Sequence, residues 1–116
     1  MARIGILVTG GPFQVANCET AVSIGEAALD KGHEVVFLLS ADGVYGPVRP
    51  RTAARSNGFL HQSFARLIDR GARVLVCGTA AEARGFACRD YPEGVAVGGQ
   101  PDFAMLIAEM DRLVSL

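Results

Sequence analysis

Short apolar runs are spaced along the whole chain, each closed by glycine or a polar turn and followed by residues with helical periodicity. That alternation restricts the chain to folds in which strands and helices take turns. Residues 3–9 (RIGILVT) form the first run, closed by Gly10, Gly11 and Pro12, and predict a buried strand followed by a tight turn. A helix opening at Asn17, with Glu19 in its first turn, keeps Cys18, Val22, Gly25 and Leu29 at helical spacing up to Lys31-Gly32. Residues 34–39 (EVVFLL) follow at once. An apolar strand after a short turn makes a βαβ unit whose strands are covered on both faces.

Residues 40–57 show no period, and so long an irregular stretch inside a compact domain marks a functional or mobile loop. A second helix is predicted over residues 58–70, with Leu60, Phe64, Leu67 and Ile68 as its stripe and Gly71 as its stop. Residues 73–77 (RVLVC) read as strand three, residues 79–84 as a short helix and residues 95–98 as strand four. A helix over residues 101–110, opened by Pro101 and Asp102, carries Phe103, Leu106, Ile107 and Met110, and residues 112–116 close as strand five. The expected fold is a three-layer α/β/α sandwich around a mostly parallel five-stranded sheet, formed as one domain over residues 1–116.

At 116 residues the chain is sized for one core, burying roughly two thirds of the surface its unfolded form exposes. Eleven basic against twelve acidic side chains give no field that would draw it to nucleic acid or an anionic membrane. Its apolar runs fall far short of the roughly 20 residues that span a bilayer, and residues 1–9 have no signal-peptide pattern, so the chain reads as cytoplasmic. The three cysteines, Cys18, Cys77 and Cys88, have no CxxC spacing, and the two histidines, His33 and His61, stand far apart. Reduced thiols and no metal site are expected.

In a parallel sheet the loops leaving the C-terminal strand ends gather on one edge, where ligands bind. Here that edge collects residues 10–17, the loop of residues 40–57, and Cys77 with the turn after it. Cys77 ends a strand, Gly78 lets backbone approach closely, and Thr79 can cap the next helix, whose N-terminal partial charge favours thiolate over thiol. The same cysteine also fits as a small hydrophobe ending an apolar strand. Cys18 fits the stripe of its helix, and Cys88 has no assigned place. The Gly10-Gly11-Pro12 turn lacks the spacing of a phosphate loop. Arg49, Arg51 and Arg55 suit either an acidic docking face or solvent, Arg84 either an anion or water, and both histidines read as structural or solvated.

Residues 77–85 (CGTAAEARG) resemble the active-cysteine segment of the DsrE/DsrF-like, TusD-like sulfur-relay proteins. The opening RIGILVTGGPF, the passage ALDKGHEVVFLL, the DGVYG of residues 42–46 and the closing MDRLVSL agree with that resemblance in order. It implies a sulfurtransferase-like carrier in which Cys77 takes sulfane sulfur as a persulfide from a donor protein and passes it to the cysteine of a TusA-like acceptor, with no cofactor. It also implies a pocket near the thiol to which Gly78, Thr79, Tyr45 and Arg84 contribute, and a homo-oligomer, trimer or hexamer, or a hetero-oligomer with related subunits. Ala80 stands where some relatives carry a second cysteine, so the resemblance implies a relay with one cysteine. The competing readings are a flavodoxin-like nucleotide or flavin module at the same edge and a non-catalytic subunit of a relay assembly.

Overall fold

The computed structural model describes residues 1–12, 15–49 and 58–116. Five strands, β1 (Arg3–Val8), β2 (Glu34–Leu39), β3 (Arg73–Cys77), β4 (Ala96–Gly98) and β5 (Arg112–Ser115), pair in the order β4-β3-β2-β1-β5. Every pairing is parallel. Between them run α1 (Asn17–Asp30), α2 (Gly58–Asp69), α3 (Gly78–Ala83) and α4 (Gln100–Glu109). The predicted elements are all present, with ends shifted by one or two residues.

Successive strands from β1 to β4 step in one direction across the sheet, so right-handed crossovers put α1 and α2 on the same face; the return from β4 to β5 puts α4 on the other. The register pairs Ile6 with Phe37 and Val8 with Leu39, and Phe37 meets Phe64 of α2 edge to face, ring centroids 5.2 Å apart. A methyl built on Gly25 of α1 would lie 2.4 Å from the tip of Phe37. Glycine there lets helix and strand approach closely enough to seat that ring. Glycines with positive φ end α1 at Gly32 (85°) and α2 at Gly71 (101°), the left-handed C-terminal stop expected from the sequence.

The second face is more thinly covered. Of the stripe expected on α4, Phe103 is buried while Leu106 and Met110 are half-buried and Ile107 is exposed. One ten-residue helix has to cover the width of the sheet, so the stripe meets strands over only part of its length. Met110 and Leu113 close over Gly5, where a side chain would collide with them. At the opposite corner a groove of about 440 Å³ opens between α4 and the β3–β4 pair, lined among others by Leu75, Val97, Met105 and Leu106.

Two caps differ from expectation. Ala16 rather than Asn17 precedes α1, without a side-chain cap bond, because the Asn17 side chain turns toward the Gly10 turn, close enough to obstruct any side chain on Gly10. Cys77, not Thr79, is the residue before α3, since the strand passes into the helix with no residue between. At the start of α4, the Asp102 carboxylate accepts the Gly99 N–H at 2.8 Å, as a capping acid should.

The loop after β2 begins with a 3₁₀ segment, Ala41–Tyr45, which the sequence left without structure. It is set so close to β1 that a methyl on Gly43 would lie 2.2 Å from the Val8 carbonyl oxygen. Gly43→Ala should therefore force the segment off the strand ends and lower unfolding free energy by about 1–3 kcal/mol in urea titrations; an unchanged midpoint would show that the contact yields freely.

Candidate functional site

β3 lies one strand in from the edge, between β2 and β4. Its last residue, Cys77, is 8% exposed, whereas Cys18 is 0% exposed and Cys88 lies open on the surface. Strand alternation sends Leu75 and Cys77 to the side of the sheet that carries α4. The residue in register with Cys77 on β4 is Gly98, so that strand places no side chain beside the thiol. Gly78 opens α3 with its Cα against β4; a methyl there would come within 3.1 Å of Val97 Cγ1. Thr79, in the first turn of α3, is exposed.

The 3₁₀ segment Ala41–Tyr45 packs against β2, β3 and α3, the elements around Cys77. Its attachment is specific. Arg84, just past the end of α3, donates from Nε and Nη2 to Asp42 Oδ1 at 3.0 and 2.8 Å and from Nη1 to the Ala80 carbonyl at 3.0 Å. The side chains of Arg84 and Asp42 are 25% and 45% exposed, so the pair is worth about 1 kcal/mol or less. Tyr45 stands edge-on to Phe86 at 5.1 Å, and Phe86 to Tyr91 at 6.2 Å, contacts of about 0.5–1.5 kcal/mol each. The buried Tyr91 hydroxyl donates to the Val44 carbonyl at 3.0 Å, and burial pushes its pKa up, with Asp90 adding to the rise. Further along, the Arg49 amide donates to the Asp90 carbonyl at 2.7 Å and Arg49 Nε to the Arg89 carbonyl at 3.2 Å. Both acceptors belong to a short 3₁₀ turn, Cys88–Asp90.

The structure thus brings Tyr45 and Arg84, two of the residues expected near the thiol, onto the clamp that joins the loop to α3. The guanidinium considered as an anion ligand is engaged by Asp42 and Ala80. Of the other two arginines of the loop, Arg51 and Arg55 both lie outside the described residues. Sequence reasoning missed the Asp42–Arg84 pair and the role of Tyr91. Asp42 and Arg84 each stood in a quoted motif, but nothing in a single sequence joins residues 42 positions apart.

His33 Nδ1 accepts the Ala2 N–H at 3.0 Å, tying the start of β1 to the start of β2. His61 is half-buried on α2; burial, then the nearby Arg49, lowers its pKa. Among the described residues no group of three histidine, cysteine or acidic side chains is arranged to hold a metal ion, and no helix is long and apolar enough to cross a membrane.

Cys18 lies in the core under Gly46, where a methyl would come within 3.1 Å of its sulfur, and its Sγ–H donates to the Gly10 carbonyl at 3.6 Å. Burial, with Glu19 adding to it, pushes this thiol up from 9.0 to about 11.

An all-parallel α/β sheet with a cysteine at the end of an interior strand defines the class of this protein. Within that class the chain belongs to the DsrE/DsrF-like family, which it matches over residues 2–116. It is 27% identical over 113 residues, 97% of this chain and 98% of the relative, to an uncharacterised protein of Methanocaldococcus jannaschii. Among solved structures it is similar to the ychN protein of E. coli, with a TM-score of 0.81, 19% identity and all of both chains covered. A protein of unknown function from Methanobacterium thermoautotrophicum is also similar, with a TM-score of 0.71 and 16% identity over all of both chains. At these identities the two structures speak for the fold.

The raised Cys18 value carries a pH dependence. Its folded pKa lies above the unfolded one, so its contribution is complete below pH 9.0 and is lost as pH rises through about 11. Denaturant midpoints of the native chain should fall across that window. The fall should be shallower in Cys18→Ala, with Tyr91 supplying the remainder; identical slopes in both chains would remove Cys18 from this role.

Proposed function

We propose that this protein is a sulfur-relay carrier that holds sulfane sulfur as a persulfide on Cys77 within a single DsrE/DsrF-like domain spanning residues 1–116. The observation that carries the reading is the position of Cys77, last on an interior parallel strand, first before a helix, and at the edge where such sheets bind their partners. Membership of the DsrE/DsrF-like family supports the same chemistry.

In the loading step the Cys77 thiolate attacks the outer sulfur of a donor cysteine persulfide. A bond forms between Cys77 Sγ and that sulfur, the donor's S–S bond breaks, and the donor cysteine leaves as thiolate. In the second step a thiolate of a TusA-like acceptor attacks the same outer sulfur and Cys77 leaves. Neither step has a net change in oxidation state, and neither needs a cofactor. Thiolate is the required form at each attack. With Ala80 in the next turn, the relay uses one cysteine and forms no internal CxxC disulfide. Gly78 and Thr79 line the approach to the sulfur and Tyr45 walls it from the loop side. The carrier works in the cytoplasm as a homo-oligomer or together with related subunits.

Incubation with a sulfane-sulfur donor should add one sulfur atom to the intact mass, mapped to the Cys77 peptide and released by a thiol reductant. Cys77→Ser should abolish the addition while circular dichroism and denaturant midpoint stay within about 1 kcal/mol of the parent. Equal loading of the serine variant would defeat the assignment.

A further inference from the structure

We infer that α4 and the groove beside it form the face on which a second copy of this chain docks, in a two-fold contact that sets Arg73 of each copy against Glu109 of the other. This rests on the homo-oligomer of the proposed reading and adds where its copies meet, independently of the chemistry at Cys77. The exposed positions of α1 include Glu19, Thr20, Ser23 and Asp30, whereas those of α4 include Ala104, Met105, Ile107 and Ala108. With Phe103 buried and Leu106 and Met110 half-buried, α4 is apolar on nearly every side, the pattern of a helix surrounded by protein. Large apolar side chains left exposed on this face are Met105 at 70%, Leu113 at 43% and Ile107 at 36%, and apolar patches of that kind mark interaction surfaces.

The charges on the face point to what covers it. Arg3, Arg66, Arg70 and Arg84 each meet an acid of their own chain. Arg73 and Glu109 line one groove and are both exposed, and neither has an ion-pair partner among the described residues. A uniformly basic partner would repel Arg73, and a uniformly acidic one would repel Glu109. A second copy turned about a two-fold axis offers the opposite sign to each, because an isologous contact sets one patch against itself. The same groove, of about 440 Å³, has an apolar lining that includes Leu75, Ala96 and Leu106. Met105, also lining it, is the flexible side chain laid into the opposing groove, a use that suits methionine at interfaces.

Sedimentation velocity across a dilution series reads this contact. The native chain should sediment as a dimer or a multiple of one, and Met105→Glu should bring it to about half that mass or less. Arg73→Glu and Glu109→Arg should each weaken the association by about tenfold, and the double variant carrying both should return to within about threefold of the native chain. Circular dichroism should match the native chain in every variant, and recovery in the double variant separates a lost contact from a lost fold. A native chain that stays monomeric at every concentration, an association untouched by Met105→Glu, or a double variant as weak as the singles would each overturn the inference. Sulfur loading is read separately by intact mass. A chain that loads sulfur without self-association would defeat the interface and leave the carrier, and one that associates without loading would do the reverse.

Discussion

Parallel pairing is the constraint on which the rest depends. When every strand runs the same way, every strand also ends on the same edge, and the chain must use a helix to return to the start of the next one. The C-terminal ends of β1, β2 and β3 thereby bring the Gly10 turn, the Ala41–Tyr45 segment and Cys77 together although they are far apart in sequence. The apolar runs that make the strands interior are thus also what places a thiol at the edge. Gly43 shows how tightly the two consequences are joined, because the loop leaving β2 bears on the Val8 carbonyl at the end of β1.

Attachment of that loop divides into a buried part and a wet part. The Tyr91 hydroxyl on the Val44 carbonyl and the edge-to-face rings of Tyr45, Phe86 and Tyr91 supply contacts that solvent screens little. The Asp42–Arg84 pair adds directional bonds at the surface, where ionic strength weakens them. Ala41, the first residue of the segment, has φ of 50°, a left-handed conformation that costs an alanine about 1 kcal/mol. The surrounding contacts hold the chain in that turn, and they are the ones that seat the segment.

The parts of this architecture legible in the sequence are those set by near neighbours along the chain. Apolar runs marked all five strands, glycines at positions 32 and 71 marked helix ends, and the strand-to-helix change placed Cys77. Strand order was not legible, because pairing β5 with β1 depends on which edge the last helix reaches. The segment Ala41–Tyr45 is not legible as a helix, since five residues of 3₁₀ structure carry too little period to register. The hydroxyl of Thr79 suggests a cap for α3, whereas the chain enters that helix straight from Cys77. The clamp residues stood in view in their motifs, but their union across the fold is a property of the packed structure alone.

Residues 3–9 and 111–116 are stitched together. Arg3 N–H donates to Asp111 Oδ2 at 2.7 Å across 108 positions of sequence, Thr9 N–H bonds the Leu116 carbonyl, and β5 flanks β1. During synthesis β1 is therefore made long before its second neighbour exists. Its backbone presents an open row of amides and carbonyls until β5 has been made, the condition under which strand edges recruit the wrong partner. The placement of β5 thus makes the synthesis of residues 112–115, rather than any single buried contact, the event that completes the pairing of β1.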